Sequence, residues 1–239
     1  MLRGPVSYTH LDSGCGFEIG LAYALGYPVN LITTDSYLCS VGDSVEMYHI
    51  SKLVQYVAQV VHVFAPDPSI ADYRTACEDL LQRALRQLKQ NLIEEYGTRW
   101  SPRTALQAGE VEYDYYLDPN FKYTESGRKL LSAIRVILEE AGKTCTLGDN
   151  QGSIAEDISR LTKSGRAILL FDRVDTNVDS AVLNGIAYGI GRKPILYCST
   201  EQTYKNGPAP NRLNIMNEYS SAAVVRSLKE LERVIRQNS

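Results

Sequence analysis

Apolar positions along this chain fall into two rhythms, a helical period and short β-branched runs, and their alternation predicts most of the elements. From Phe17 to Leu25 the small and apolar residues recur at helical spacing, with Gly16, Gly20 and Ala24 forming a narrow stripe suited to close backbone packing. Gly26 ends this helix as a C-cap, and the apolar run Val29 to Thr33 reads as a buried strand. Helices are expected over Ser44 to Phe64 and Ser69 to Tyr96, separated by Pro66-Asp67-Pro68. Gly97 to Gly109 is polar and irregular, so residues 98–110 read as a linker between units 1–97 and 111–239.

Beyond the linker, strands alternate with helices. Strands are predicted over Tyr113 to Leu117, Lys143 to Leu147, Ala167 to Phe171 and Ile195 to Cys198. Helices are predicted over Thr124 to Ala141, Ile154 to Thr162 with Ser153 as N-cap, Ser180 to Ile190 and Ala222 to Gln237. This order implies an α/β fold, a flavodoxin-like or Rossmann-like parallel sheet flanked by helices.

An internal repeat organises the chain. Phe17-Glu18-Ile19-Gly20-Leu21-Ala22-Tyr23-Ala24-Leu25-Gly26 lies over Val182-Leu183-Asn184-Gly185-Ile186-Ala187-Tyr188-Gly189-Ile190-Gly191, an offset of 165 (183 − 18) with identities at Gly20, Ala22, Tyr23 and Gly26. Each copy then passes a proline, Pro28 or Pro194, into an apolar strand, as expected of a duplicated domain. If the second copy starts near Val111, the period places the start of the first roughly 54 residues ahead of Met1 (111 − 165). The first copy is therefore expected to be truncated, and residues 1–11, which follow neither rhythm, to be a non-native start.

Composition narrows the function classes. With 25 Lys and Arg against 28 Asp and Glu, the net charge of −3 offers no basic field for a phosphate backbone, so nucleic acid is not the expected partner. No run reaches the ~20 apolar residues of a membrane span, and no apolar leader opens the chain. The five cysteines are scattered and form no C-x-x-C pair, which fits reduced thiols in a cytoplasmic protein. His49 and His62, placed on a predicted helix without an i+4 ligand partner, read as ordinary surface or core residues.

The chemistry concentrates in Asp12-Ser13-Gly14-Cys15-Gly16-Phe17-Glu18. The glycines permit a sharp turn after a strand, and Glu18 then falls in the first helical turn, where the dipole favours its ionised form. Asp12 is expected at the strand end facing the same pocket, giving two carboxylates in different environments. The bland alternative makes Glu18 a helix-capping residue and Asp12 a turn residue. The whole stretch D-S-G-x-G-x-E-I-G-x-A-Y-A-L-G resembles the signature of the nucleoside 2-deoxyribosyltransferases and their relatives, the deoxynucleoside monophosphate N-glycosidases. The resemblance implies that Glu18 attacks C1′ of a deoxyribose, that Asp12 contacts or helps protonate the base, and that Gly14 and Gly16 line the substrate site. It also implies a small-molecule nucleoside or nucleotide as substrate, no cofactor and no metal.

Carried into the second copy, the resemblance makes Tyr116 the strand tyrosine that orients a nucleophile, and Asp157 the helix aspartate that binds sugar hydroxyls. The nucleophile position there is Leu183 and the position six before it is Asn177, so the second copy is expected to be catalytically dead. Leu213-Asn214-Ile215-Met216 resembles the family segment that lies near the subunit interface, so Asn214 or Met216 would be lent to the Glu18 site; the alternative makes Met216 and Ile215 core and Asn214 a cap. Homo-oligomer and intramolecular pseudo-dimer both fit. Three functions stay open on sequence: deoxyribosyl transfer or monophosphate hydrolysis, a non-catalytic binding or scaffold role, and an unrelated flavodoxin-like module.

Overall fold

The computed structural model describes residues 13–33, 38–41, 44–47, 51–62, 73–99, 104–122, 124–149, 152–171, 178–198 and 215–237. The amino-terminal part comprises α1 (Ser13–Ala24), β1 (Asn30–Thr33), β2 (Leu38–Val41), β3 (Ser44–Met47), α2 (Lys52–Val57), β4 (Gln59–His62) and α3 (Tyr73–Arg99). The carboxy-terminal part follows with β5 (Tyr113–Leu117), α4 (Glu125–Glu140), β6 (Cys145–Leu147), α5 (Ile154–Thr162), β7 (Ser164–Leu170), α6 (Val178–Gly189), β8 (Ile195–Tyr197), α7 (Ile215–Ser220), β9 (Ala223–Val225) and α8 (Leu228–Gln237).

The carboxy-terminal part is an α/β unit with a five-stranded sheet, all parallel, in the order β6-β5-β7-β8-β9. Counted along the unit this is 2-1-3-4-5, the flavodoxin-like order, whose switch point lies between β5 and β7. Successive strand residues point to opposite faces. Tyr115, Leu117, Ile168 and Leu170 therefore pack on α4 and α8, while Tyr116, Ala167 and Leu169 pack on α5 and α6. Ser153 caps its helix as expected, its Oγ accepting from Glu156 N–H at 3.3 Å, and Thr124, expected inside its helix, caps it instead, Oγ1 accepting from Gly127 N–H at 2.9 Å.

The amino-terminal part repeats the second half of that unit. The order α1-β1-α2-β4-α3 follows α6-β8-α7-β9-α8, with β1 and β4 paired in parallel like β8 and β9, and β2 and β3 form an added antiparallel pair. Gly26 and Gly191, 165 residues apart, both adopt φ of 79° where their helices end. Ile19, Leu53, Val54 and Val57 join the same core as Ile158, Leu183 and Leu196, so one apolar interior runs through both parts. The segment before β5 is stitched to both, with Leu106 N–H donating to Ala24 O at 2.8 Å and Gly109 N–H to Thr162 O at 2.9 Å.

Four expected elements differ. The helix expected over Ser44 to Phe64 is instead β3, α2 and β4. The β-branched run Val60-Val61 pairs with Leu31-Ile32, and the two residues Gly42-Asp43 between alternating runs carry a hairpin signal that a helical reading passes over. The closing helix starts only at Leu228, because Ala223-Val224-Val225 is needed as the fifth strand. Helix α3 continues to Arg99, so the linker begins later than Gly97. Helix α1 begins at Ser13 and contains Gly14 and Gly16, which were expected to form a turn.

Candidate functional site

The carboxyl ends of β5 and β7 gather the polar residues that open α/β sheets use for ligands. Tyr116, on the last half of β5, donates its hydroxyl to both oxygens of Asp157, at 3.0 and 3.1 Å. Asp157 enters from the first turn of α5, placed there by the Ser153 cap, and also accepts Asp149 N–H at 3.0 Å. The two residues singled out on separate elements of the second copy are thus brought together. Their surroundings are dry: Tyr116 is 0% and Asp157 3% exposed. Burial raises the Asp157 carboxyl, and burial together with the charge of Asp157 holds the Tyr116 phenol well above its ordinary range.

One residue on from β5, Asp118 is fully buried and was missed at the sequence level. Its carboxylate accepts the Asn120 N–H at 2.9 Å, the Leu170 N–H at 3.0 Å and the Ser180 hydroxyl at 2.5 Å. Asn120 Nδ2 donates to Ser180 Oγ at 2.9 Å, so the end of β5, the end of β7 and the start of α6 are tied at one point. Burial pushes Asp118 up to about 6 against the lowering effect of these donors. The available signal was an aspartate directly between a strand and Pro119.

A second buried network was also missed. Asn184 Nδ2 donates to Asn217 Oδ1 at 2.8 Å and to Ser220 Oγ at 2.9 Å, and Asn217 Nδ2 reaches across to the Ser13 carbonyl of α1 at 3.2 Å. The lone asparagine in the apolar run of α6 was its only trace in the sequence. Asn217, one residue beyond the Leu213–Met216 segment, is therefore the side chain of α7 seen to reach the first copy. Met216 is half-buried on the same helix and Ile215, expected in the core, is exposed at the start of α7, while Asn214, Asp12, Asn177 and His49 lie outside the described residues. His62 lies on β4, not on a helix.

The two helices of the repeat, α1 and α6, pack directly against each other. A Cβ on Gly20 would collide with the Val182 carbonyl, and one on Gly185 with the Phe17 carbonyl. These contacts exchange under the 165-residue offset, as Gly20 becomes Gly185 and Phe17 becomes Val182. Gly16, whose added Cβ would lie 3.1 Å from that of Ala181, meets its own counterpart, and so do Ala24 and Gly189. The helices therefore run in the same direction about a local pseudo-two-fold, with both amino ends at one side. Gly14 and Gly16 are buried, and Gly16 serves this packing.

On this shared frame Glu18 and its counterpart Leu183 part company. Leu183 is 1% exposed and sits in the core, whereas Glu18 is exposed to solvent. Glu18 is the sixth residue of α1, in its second turn, so the strongest part of the helix dipole does not act on it as the sequence had suggested. A cavity of about 250 Å³ opens between Tyr23, Tyr56 and α5, and none of Glu18, Tyr116 and Asp157 lines it.

No protein-family model matches the chain, and no curated protein sequence is similar to it. Its class therefore rests on the fold, an α/β unit of flavodoxin-like order. Among the described residues no helix is long and apolar enough to cross a membrane.

Proposed function

We propose that the protein is a nucleoside 2-deoxyribosyltransferase-like pseudo-dimer in which residues 111–239 are a catalytically silent supporting unit, and that any glycosidic chemistry belongs to Glu18. The observation that carries this reading is the contrast across the α1–α6 pair, an accessible carboxylate on one helix and a buried leucine at its counterpart. An ionised carboxylate can form a glycosyl ester with an anomeric carbon as the base departs; an alkyl side chain cannot. In the second unit Tyr116 and Asp157 are spent on each other, which leaves them a structural role at the old strand–helix junction.

A second reading, a scaffold without turnover, is favoured by the openness of Glu18, because a glycosyl ester exposed to water lacks the dry enclosure that protects such intermediates. Incubation with 2′-deoxyinosine or dCMP, with and without adenine, separates the readings by chromatography of the bases. New deoxyadenosine identifies transfer, free base alone identifies hydrolysis, and no change in a folded sample identifies the scaffold. Glu18→Ala abolishes any activity seen, while Leu183→Met retains it.

A further inference from the structure

Asp118 follows β5 directly, and its backbone is held on both sides: its N–H donates to Ile168 O at 3.1 Å and its carbonyl accepts Phe121 N–H at 3.3 Å. The side chain is wholly buried, as is that of Ser180. No ion pair among the described residues includes Asp118, and the charge that acts on it, from Asp179, has its own sign. A buried carboxylate without a cation is costly unless donors enclose it. Three do so. Asn120 N–H takes Oδ1, while Leu170 N–H and the Ser180 hydroxyl meet on Oδ2. Because Ser180 Oγ also accepts from Asn120 Nδ2, its own hydrogen is turned towards the carboxylate.

The bond to Asn120, two residues on, is an ordinary aspartate turn and needs only one oxygen. The other oxygen is held by groups 52 and 62 residues away, the last residue of β7 and the first turn of α6. Hydrogens from three parts of the chain thus converge on one buried point at the switch point of the sheet, where open α/β folds take their ligands. We infer that this point is an oxyanion seat and that Asp118 is its built-in occupant: Leu170 N–H, Asn120 N–H and the Ser180 hydroxyl form a site for a small carboxylate, which the chain fills with its own. Asp118 thereby closes the switch point of the carboxy-terminal unit to free anions. Cutting the side chain back to Cα leaves the three donors without their acceptor around a space large enough for formate, and unpaired buried donors are what a free oxyanion satisfies. The inference goes beyond the glycosidic reading and stands whether or not Glu18 acts.

The test is chemical rescue of Asp118→Gly by sodium formate, with sodium chloride at the same ionic strength as the reference. Formate should raise the melting temperature of this variant by several degrees and saturate. Wild type and Asp118→Asn, in which the space stays filled, should respond alike to the two salts. Isotopically labelled formate should show nuclear Overhauser contacts to the amide protons of Leu170 and Asn120 in the variant. If Asp118→Gly does not fold in chloride, the readout becomes its refolding yield from urea, which formate restores and chloride does not. Asp118→Ala, with a smaller space, is the second variant and should gain less from formate. A formate gain that wild type shares, contacts to other amides alone, or no difference between the salts in either variant overturns the inference.

Discussion

Helices α1 and α6 have the same length, share the packing glycine at Gly20 and Gly185 and end on a glycine of the same conformation, yet they carry opposite residues at Glu18 and Leu183. Gly20 and Gly185 each admit the partner backbone so closely that no side chain fits, which ties both positions to the interface. Glu18 and Leu183 face different surroundings on that common frame, solvent in one case and core in the other. The comparison teaches that a helix pair can preserve its symmetry through backbone contact while one of its faces exposes a carboxylate and the other buries a leucine.

Substitutions break this comparison in a definite order. Leu183→Ala removes a buried side chain from the core and should cost about 2–5 kcal/mol in urea unfolding. Next come Gly20→Ala and Gly185→Ala, each overpacking the same contact from opposite sides at about 1–3 kcal/mol or more. Because they strike one interface, the double substitution should depart from additivity, whereas two unrelated glycines would add. Tyr116→Phe strips the buried Asp157 of its phenolic donor at a cost of about 1–3 kcal/mol.

A smaller effect is read by pH. Asp118 has its folded value raised from 3.8 to about 6, so the folded state holds a proton that the unfolded state has released in that window. Its contribution is fully present below about pH 4 and is lost as pH rises through about 6. The unfolding midpoint should therefore fall over that range relative to Asp118→Asn, in which the slope from this group vanishes. Smallest of all, Glu18→Ala should change stability by no more than about 0.5 kcal/mol, as befits an exposed side chain, while removing any deoxyribosyl chemistry.

Much of the carboxy-terminal unit was legible in the chain, because its periods are clean. Tyr113 to Leu117 and Ile154 to Thr162 fold with the expected bounds, and the glycine stripe Gly16-Gly20-Ala24 packs as a stripe. Reading failed where a short β-branched run abuts a helix, as at Val60-Val61 and Val224-Val225, because only pairing with a distant strand decides the state. The start of α1 was missed for a related reason: Gly14 and Gly16 suggest a turn by propensity, but the partner helix selects them for close approach. Of the site, Tyr116 and Asp157 were singled out by the family resemblance, while Asp118 and Asn217 acquire meaning from partners distant in sequence, Leu170 and Ser180 for the one and Asn184 and Ser13 for the other.

The pairing of α1 with α6 is tested most directly by a crosslink. Gly16→Cys with Ala181→Cys places two thiols at counterpart positions whose Cβ atoms, 3.1 Å apart, need part by only a few tenths of an ångström to reach disulfide spacing. Mild oxidation followed by peptide mapping should yield one intrachain bond joining positions 16 and 181 in a monomeric, folded sample. A folded sample in which those positions stay unlinked, or link only between chains, would contradict the paired arrangement on which the account stands.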